Sequence, residues 1–116
     1  MAISTLSAEQ TKLVEQMVPL VKRVAYHFMA RLPASVVVDD LIQAGLLGLL
    51  DAAKNFDDTQ GAQFETYAIQ RIRGSILDEL RGADWLPRNV RKNLRKIEAS
   101  INALEQQLGR PPREQE

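Results

Sequence analysis

The chain has 116 residues, enough for one modest domain and too few for two well-packed ones. Hydrophobic residues make up 45% and charged residues 26%, and cysteine is absent, which excludes disulfides and thiolate metal sites. The formal net charge is zero, which argues against nucleic acid as a partner of the whole surface but leaves room for a local anion-facing one.

Residues 1–6 lack the basic head and apolar stretch of a signal peptide, and no later run is long enough to cross a bilayer. With the missing cysteines, this points to the cytoplasm. Ser7 and Gln10 have capping-box spacing and should open a helix. Its apolar stripe runs through Leu13, Met17, Val21, Val24 and Phe28, flanked by Val14, Val18, Ala25 and Met29. Pro19 falls inside the stripe and should kink the helix or restart it. Leu32-Pro33 ends the element.

A second helix should open at Asp39-Asp40, where acids favour the positive end of the dipole. Leu41, Ile42, Leu46, Leu49, Leu50 and Ala53 are its apolar positions. Gly45 and Gly48 each cost about 1 kcal/mol against Ala inside a helix, a cost usually offset by close approach of another helix. Residues 55–61 read as a loop.

The third helix is expected from about Phe64 to Arg81, with Ala68, Ile72, Ile76 and Leu80 on one face, and Gly82-Ala83-Asp84 breaks it. Pro87 then suits the first turn of a fourth helix, on which Val90, Leu94, Ile97, Ile101, Leu104 and Leu108 form a narrow seam. Gly109 and Pro111-Pro112 supply the stop. The expected fold is all-α: three helices packed together, and a fourth, C-terminal helix leading away.

Nothing in the pattern supports an enzyme. His27 is the only histidine and reads as a solvated or half-buried helix residue. The acids fall in adjacent pairs that do not face each other on a helix, and no glycine-rich phosphate cradle is present. No metal site and no cofactor is expected.

The charge is uneven. Residues 1–70 carry five basic and eight acidic side chains, and residues 71–116 carry ten and seven. Arg88, Arg91, Lys92, Arg95 and Lys96 form a stretch without an acid, either a solvated helix face or an anion-facing surface. Ahead of it, residues 61–85 interleave Phe64, Tyr67 and Trp85 with Arg71, Arg73 and Arg81. Rings that stack on unpaired bases, beside cations that follow phosphates, suit single-stranded nucleic acid. Phe64 and Tyr67 equally suit a core. A lone Trp85 beside Pro87 in a helix-helix corner is expected to pack.

The stretch GAQFETYAIQRIRGSILDELRGADW, at residues 61–85, resembles the promoter-melting helix of the sigma-70 family of transcription initiation factors. DDLIQAGLLGLLDAAKNF, at residues 39–56, resembles the polymerase-docking helix of that family, and PRNVRKN, at residues 87–93, the start of the segment that follows. The combination of FETYA, IRG and DW-x-PR is similar to the flagellar branch.

This resemblance implies a division into residues 1–82, region 2, and residues 83–116, the start of region 3. It implies docking on a coiled coil of the largest subunit of core RNA polymerase through Asp40, Leu41, Gln43, Leu46 and Leu50. Ala44 and Leu46 stand near positions where family members carry an acid and an Asn. It implies recognition and melting of the promoter −10 element, with Phe64, Thr66 and Tyr67 capturing a flipped nontemplate base. Base or phosphate contacts fall to Arg71, Arg73, Asp78 and Arg81, and upstream duplex contacts to Arg88 and Arg91. Asp78 either accepts from a cytosine amine or orients Arg81. Gln70 and Arg71 stand where housekeeping members place two large aromatics.

The resemblance further implies an anti-sigma partner, and a continuation into a linker and a helix-turn-helix domain beyond residue 116. The fourth-helix seam, exposed in a fragment, would then offer a dimer interface. Two other readings compete: a small helical DNA-binding regulator that recruits no polymerase, and an adaptor bundle with Phe64 and Tyr67 in its core.

Overall fold

The structure, a computed structural model, describes residues 6–56 and 64–108. Among these, all regular structure is helical: α1 (Ala8–Met29), α2 (Val38–Asn55), α3 (Phe64–Arg81), α4 (Arg88–Lys92) and α5 (Leu94–Leu108). The centre of the expected loop and the expected Gly-Pro-Pro stop lie outside the described residues.

Helix α1 opens with the expected capping box. The Ser7 hydroxyl accepts from the Gln10 backbone N–H at 3.1 Å, and the Gln10 side chain accepts from the Ser7 N–H at 2.8 Å. Gln10 also donates its amide to the Ala53 carbonyl at 3.0 Å, tethering the start of α1 to the end of α2. Pro19 neither ends nor restarts the helix, which runs as one element to Met29. Pro19 and Glu15 are both exposed, so water can satisfy the Glu15 carbonyl that loses its donor. His27 is buried at 5% exposure, not solvated or half-buried as expected, because it sits one turn from Val24 on the face α1 gives to the core.

Helix α2 starts at Val38 without a side-chain cap, and Asp39 and Asp40 occupy its first turn. Its inward face is built largely from small residues: Ala44, Gly45, Gly48, Ala52 and Ala53, with Leu41 and Leu49. A Cβ at Gly48 would stand 2.5 Å from the Arg71 carbonyl oxygen and 2.6 Å from Ser75 Oγ. One at Gly45 would stand 2.8 Å from Val21 Cγ1 and 3.2 Å from Ile72 Cγ2. The two glycines thus let α3 lie directly against α2, with the chain directions opposed. Leu46, Leu47 and Leu50 are consequently displaced toward the outside.

Helix α3 begins and ends where its periodicity placed it, and Ala68, Ile72, Ile76 and Leu80 are all buried. After it, Ala83 and Leu86 are tucked under the turn, closed by a hydrogen bond from the Leu86 N–H to the Ala83 carbonyl at 3.1 Å. That turn leaves Trp85 facing solvent at 52% exposure, against the expectation that it packs.

The expected fourth helix is two helices. Pro87 caps the single-turn-and-a-half α4, and the chain breaks at Asn93 before α5 starts. The break re-aims α5. It does not lead away: it contacts α1 and α3, and Leu94, Ile97 and Ile101 are buried in the common core. The seam expected to be open to a second copy is therefore covered within the chain at these three positions.

Gly48→Ala should destabilise the fold by about 1–3 kcal/mol despite the better helix propensity of Ala, because the Arg71 backbone cannot move aside. Urea denaturation checks this, and an unchanged midpoint would disprove the tight α2–α3 contact. Ile101→Ala should cost about 2–5 kcal/mol in the same assay; a near-neutral result would detach α5 from the core. Trp85, the only tryptophan, is 52% exposed and should emit as a partly water-exposed indole that acrylamide quenches in the folded chain, less readily than in the unfolded one; resistance to quenching would show that it packs.

Candidate nucleic-acid and polymerase interface

Two outward faces flank the α2–α3 contact. On α2 the face runs along Asp40, Gln43, Leu47 and Lys54, all exposed, with Leu46, Leu50 and Asp51 half-buried at its margins. Leu47 is 67% exposed, the most exposed large apolar side chain described. Sequence reasoning passed over it in favour of Leu41, which is 1% exposed and belongs to the core. The signal was available: Leu47 falls four residues after Gln43 and seven after Asp40, on the polar side of the wheel. Asp40, Gln43, Leu46 and Leu50 do share the outward side. Ala44 and Leu47 continue into a shallow open groove with Ser75, Asp78 and Glu79 of α3.

On α3, positions 67, 70, 71, 74, 78 and 81 follow one another at helical spacing. Tyr67 and Gly74 are half-buried, and Gln70, Arg71, Asp78 and Arg81 are exposed. Four of the sequence-derived nucleic-acid candidates thus fall on a single stripe. Thr66 is exposed but on one flank, which it shares with the half-buried Arg73.

Phe64 is placed differently. It is only 8% exposed and meets Phe56 edge-on, with ring centroids 5.1 Å apart. Tyr67 leans on the same Phe56 at 6.1 Å. The three rings form a cluster in which Phe64 is the buried member and Phe56 and Tyr67 are half-buried. Composition could not rank the two, because both rings sit near the start of α3 and only the return of Phe56 covers one of them.

Arg71, Arg81 and Arg91 each have a partner within the fold. Arg71 pairs with Asp51 of α2 at 2.6 Å, both about half exposed. Arg81 lies 3.7 Å from Asp78 and 4.0 Å from Glu98 of α5, so the orienting role considered for Asp78 has a geometric basis. Arg91 donates to the Ala83 carbonyl at 2.8 Å and thereby braces the turn below Trp85. Arg88, Lys92, Arg95 and Lys96 are exposed around it, which makes the acid-free stretch a solvent-facing basic surface on α4 and the start of α5. Among the described residues, no group of three or more His, Asp or Glu side chains is placed to hold a metal ion, and no helix is long and apolar enough to cross a membrane.

The sigma-70 region 2 family matches residues 13–86, which takes in α1 from Leu13 onward, all of α2 and α3, and the turn that follows. The RNA polymerase sigma factor FliA of Pseudomonas aeruginosa is 53% identical over 107 residues, covering 92% of this chain and 43% of that protein. FliA of Escherichia coli K12 is 52% identical, covering 93% and 45%. The RNA polymerase sigma-D factor of Bacillus subtilis is 47% identical, covering 81% and 37%. The chain spans less than half the length of these relatives. Among solved structures, one chain of the cocrystal of the flagellar sigma/anti-sigma complex, Sigma-28/FlgM, matches with a TM-score of 0.61 and 35% identity, covering 90% of this chain and 44% of that one. With the family pattern spanning the helices that build both faces, the chain belongs to the sigma-70 region 2 family.

Proposed function

We propose that this chain acts in transcription initiation at flagellar promoters, docking on core RNA polymerase through the outward face of α2 and melting the −10 element with that of α3. One observation carries the reading. The two helices that pack most extensively on each other turn wholly or partly outward a set of apolar and charged residues, with Leu47 the most exposed: Leu46, Leu47 and Leu50 on α2, and Tyr67, Gln70, Arg71, Asp78 and Arg81 on α3. The high identity to flagellar sigma factors supports the same assignment.

Docking follows from the chemistry of the α2 face. Leu47 and the half-buried leucines beside it supply apolar area, each fully buried leucine contributing about 1.5–3 kcal/mol, while Asp40 and Gln43 fix the register of a partner helix. Leu41 supports that face from inside. The likeness to one chain of the Sigma-28/FlgM complex supports an anti-sigma factor as a further partner.

For melting, Tyr67 is the stacking ring. Phe56 and Phe64 back it, and Thr66 stands one residue away at the rim. Arg71 can exchange Asp51 for a phosphate at small cost, since an exposed ion pair contributes about 0–1 kcal/mol. Arg81, steadied by Asp78 and Glu98, presents a fork suited to guanine. Arg88 and the donors of Arg91 not used on Ala83 extend the cationic track toward upstream duplex, and Arg73 contributes at its margin. The contribution is binding and positioning, without catalysis, in the cytoplasm where the polymerase works. The boundary between region 2 and region 3 is placed at the turn after Arg81. The internal burial of Leu94, Ile97 and Ile101 favours a single copy as the acting unit over a dimer.

The test is binding to core polymerase, alone and with a single-stranded nontemplate oligonucleotide carrying a flagellar-type element. Leu47→Asp should weaken core binding tenfold or more without unfolding the chain. Tyr67→Ala should leave core binding intact and lower oligonucleotide capture about 5- to 150-fold, the equivalent of ~1–3 kcal/mol for one stacked base. A folded chain with no affinity for core would leave the helical-regulator reading in front.

A further inference from the structure

The break at Asn93 brings one acid to a place where an unbroken fourth helix would not put it. Burial of Leu94, Ile97 and Ile101 folds α5 back, and Glu98 then meets the end of α3. Glu98 Oε1 lies 4.0 Å from Arg81 Nη2, while Asp78 Oδ1 lies 3.7 Å from Nη1. One guanidinium is flanked by two carboxylates, one from its own helix and one from α5. Holding α5 in place does not require Glu98. Three apolar side chains already do so, and an ion pair with both members about half exposed adds little to stability. Glu98 is also the first acid after the five exposed cations of residues 88–96, and it lies beyond residues 13–86, which carry the family pattern.

Charge decides what Arg81 can take from this position. Two carboxylates against one guanidinium leave a formal surplus of negative charge, so an approaching phosphate is disfavoured. A guanine edge bears no formal charge and asks only for paired donors. Each terminal nitrogen of Arg81 carries two hydrogens, so each can keep its acid and still offer one to the base. A guanidinium held from two sides also has fewer orientations to lose on binding. We infer that Glu98 is a specificity-determining residue for the base that Arg81 reads: with Asp78 it holds the fork and turns it from phosphates toward a guanine edge. The inference rests on the promoter-binding role proposed above, and it assigns part of the base choice to α5, outside the helix that carries the reader.

Holoenzyme binding to forked flagellar-type promoters tests this, with each base pair of the element replaced in turn. Glu98→Gln keeps the size and removes the charge. It should leave affinity for the intact element within twofold and lower discrimination at one position about two- to fivefold, the scale of one exposed ion pair. Glu98→Lys should lower it further, because a cation at residue 98 repels Arg81 and attracts phosphate. With Arg81→Ala, discrimination at that position is already lost, and neither substitution should change it. Core binding should stay within twofold throughout. Unchanged discrimination in both Glu98 variants overturns the inference. An equal change at every position would mark a general charge effect and overturns it too, as does a lowered urea midpoint with discrimination intact, which would make Glu98 only a brace for α5. A wild-type holoenzyme with no preference at any position would instead defeat the proposed function, which keeps the two failures apart.

Discussion

The close approach of α2 and α3 at Gly45 and Gly48 is the constraint on which the remaining structure depends. With a carbonyl oxygen 2.5 Å from where a Cβ of residue 48 would stand, the two helices can meet this closely only with glycine at the contact. That contact assigns the small residues of α2 to the interior. It leaves the leucines at positions 46, 47 and 50 on or near the surface, which reverses the usual distribution of bulk on an amphipathic helix. Two glycines in one helix cost roughly 2 kcal/mol in propensity. The contact they permit offsets this by dispersion along the helix pair and by the burial of Ile72 and Ile76.

The same contact sets α3. Once Ile72, Ile76 and Leu80 face inward, Tyr67, Arg71, Asp78 and Arg81 must face out, because helical spacing ties one stripe to the other. Arg71 is brought beside Asp51, so an acid of α2 touches a cation of α3. The two proposed faces therefore share a seam. A partner that draws Asp51 toward itself would release Arg71, at small cost in the exposed pair.

Helix α5 closes the arrangement from the other side. The break at Asn93 turns the chain back so that Leu94, Ile97 and Ile101 reach α1 and α3. Glu98 then falls near Arg81, and Arg91 near the Ala83 carbonyl. The basic surface is thereby held at a defined place beside the end of α3 instead of swinging on a free helix. Trp85 projects from the turn between them, exposed because Ala83 and Leu86 already fill the space beneath.

The sequence by itself determined the helical class, the capping box at Ser7 and Gln10, both ends of α3 and the need for close packing at Gly45 and Gly48. These are local matters, decided by backbone propensity and by periods of three and four residues. Resemblance added the expectation of a docking helix and a melting helix. Tertiary structure alone decided which apolar residues are inside. Leu41 and Leu47 are chemically identical, and only the rotation of α2 against α3 buries one and exposes the other. Phe64 and Tyr67 were separated by Phe56, which returns from another helix end. The direction of α5 was decided by a break at Asn93 that carries no proline or glycine to announce it. Periodicity records that a residue is apolar, but burial depends on what the rest of the chain lays over it.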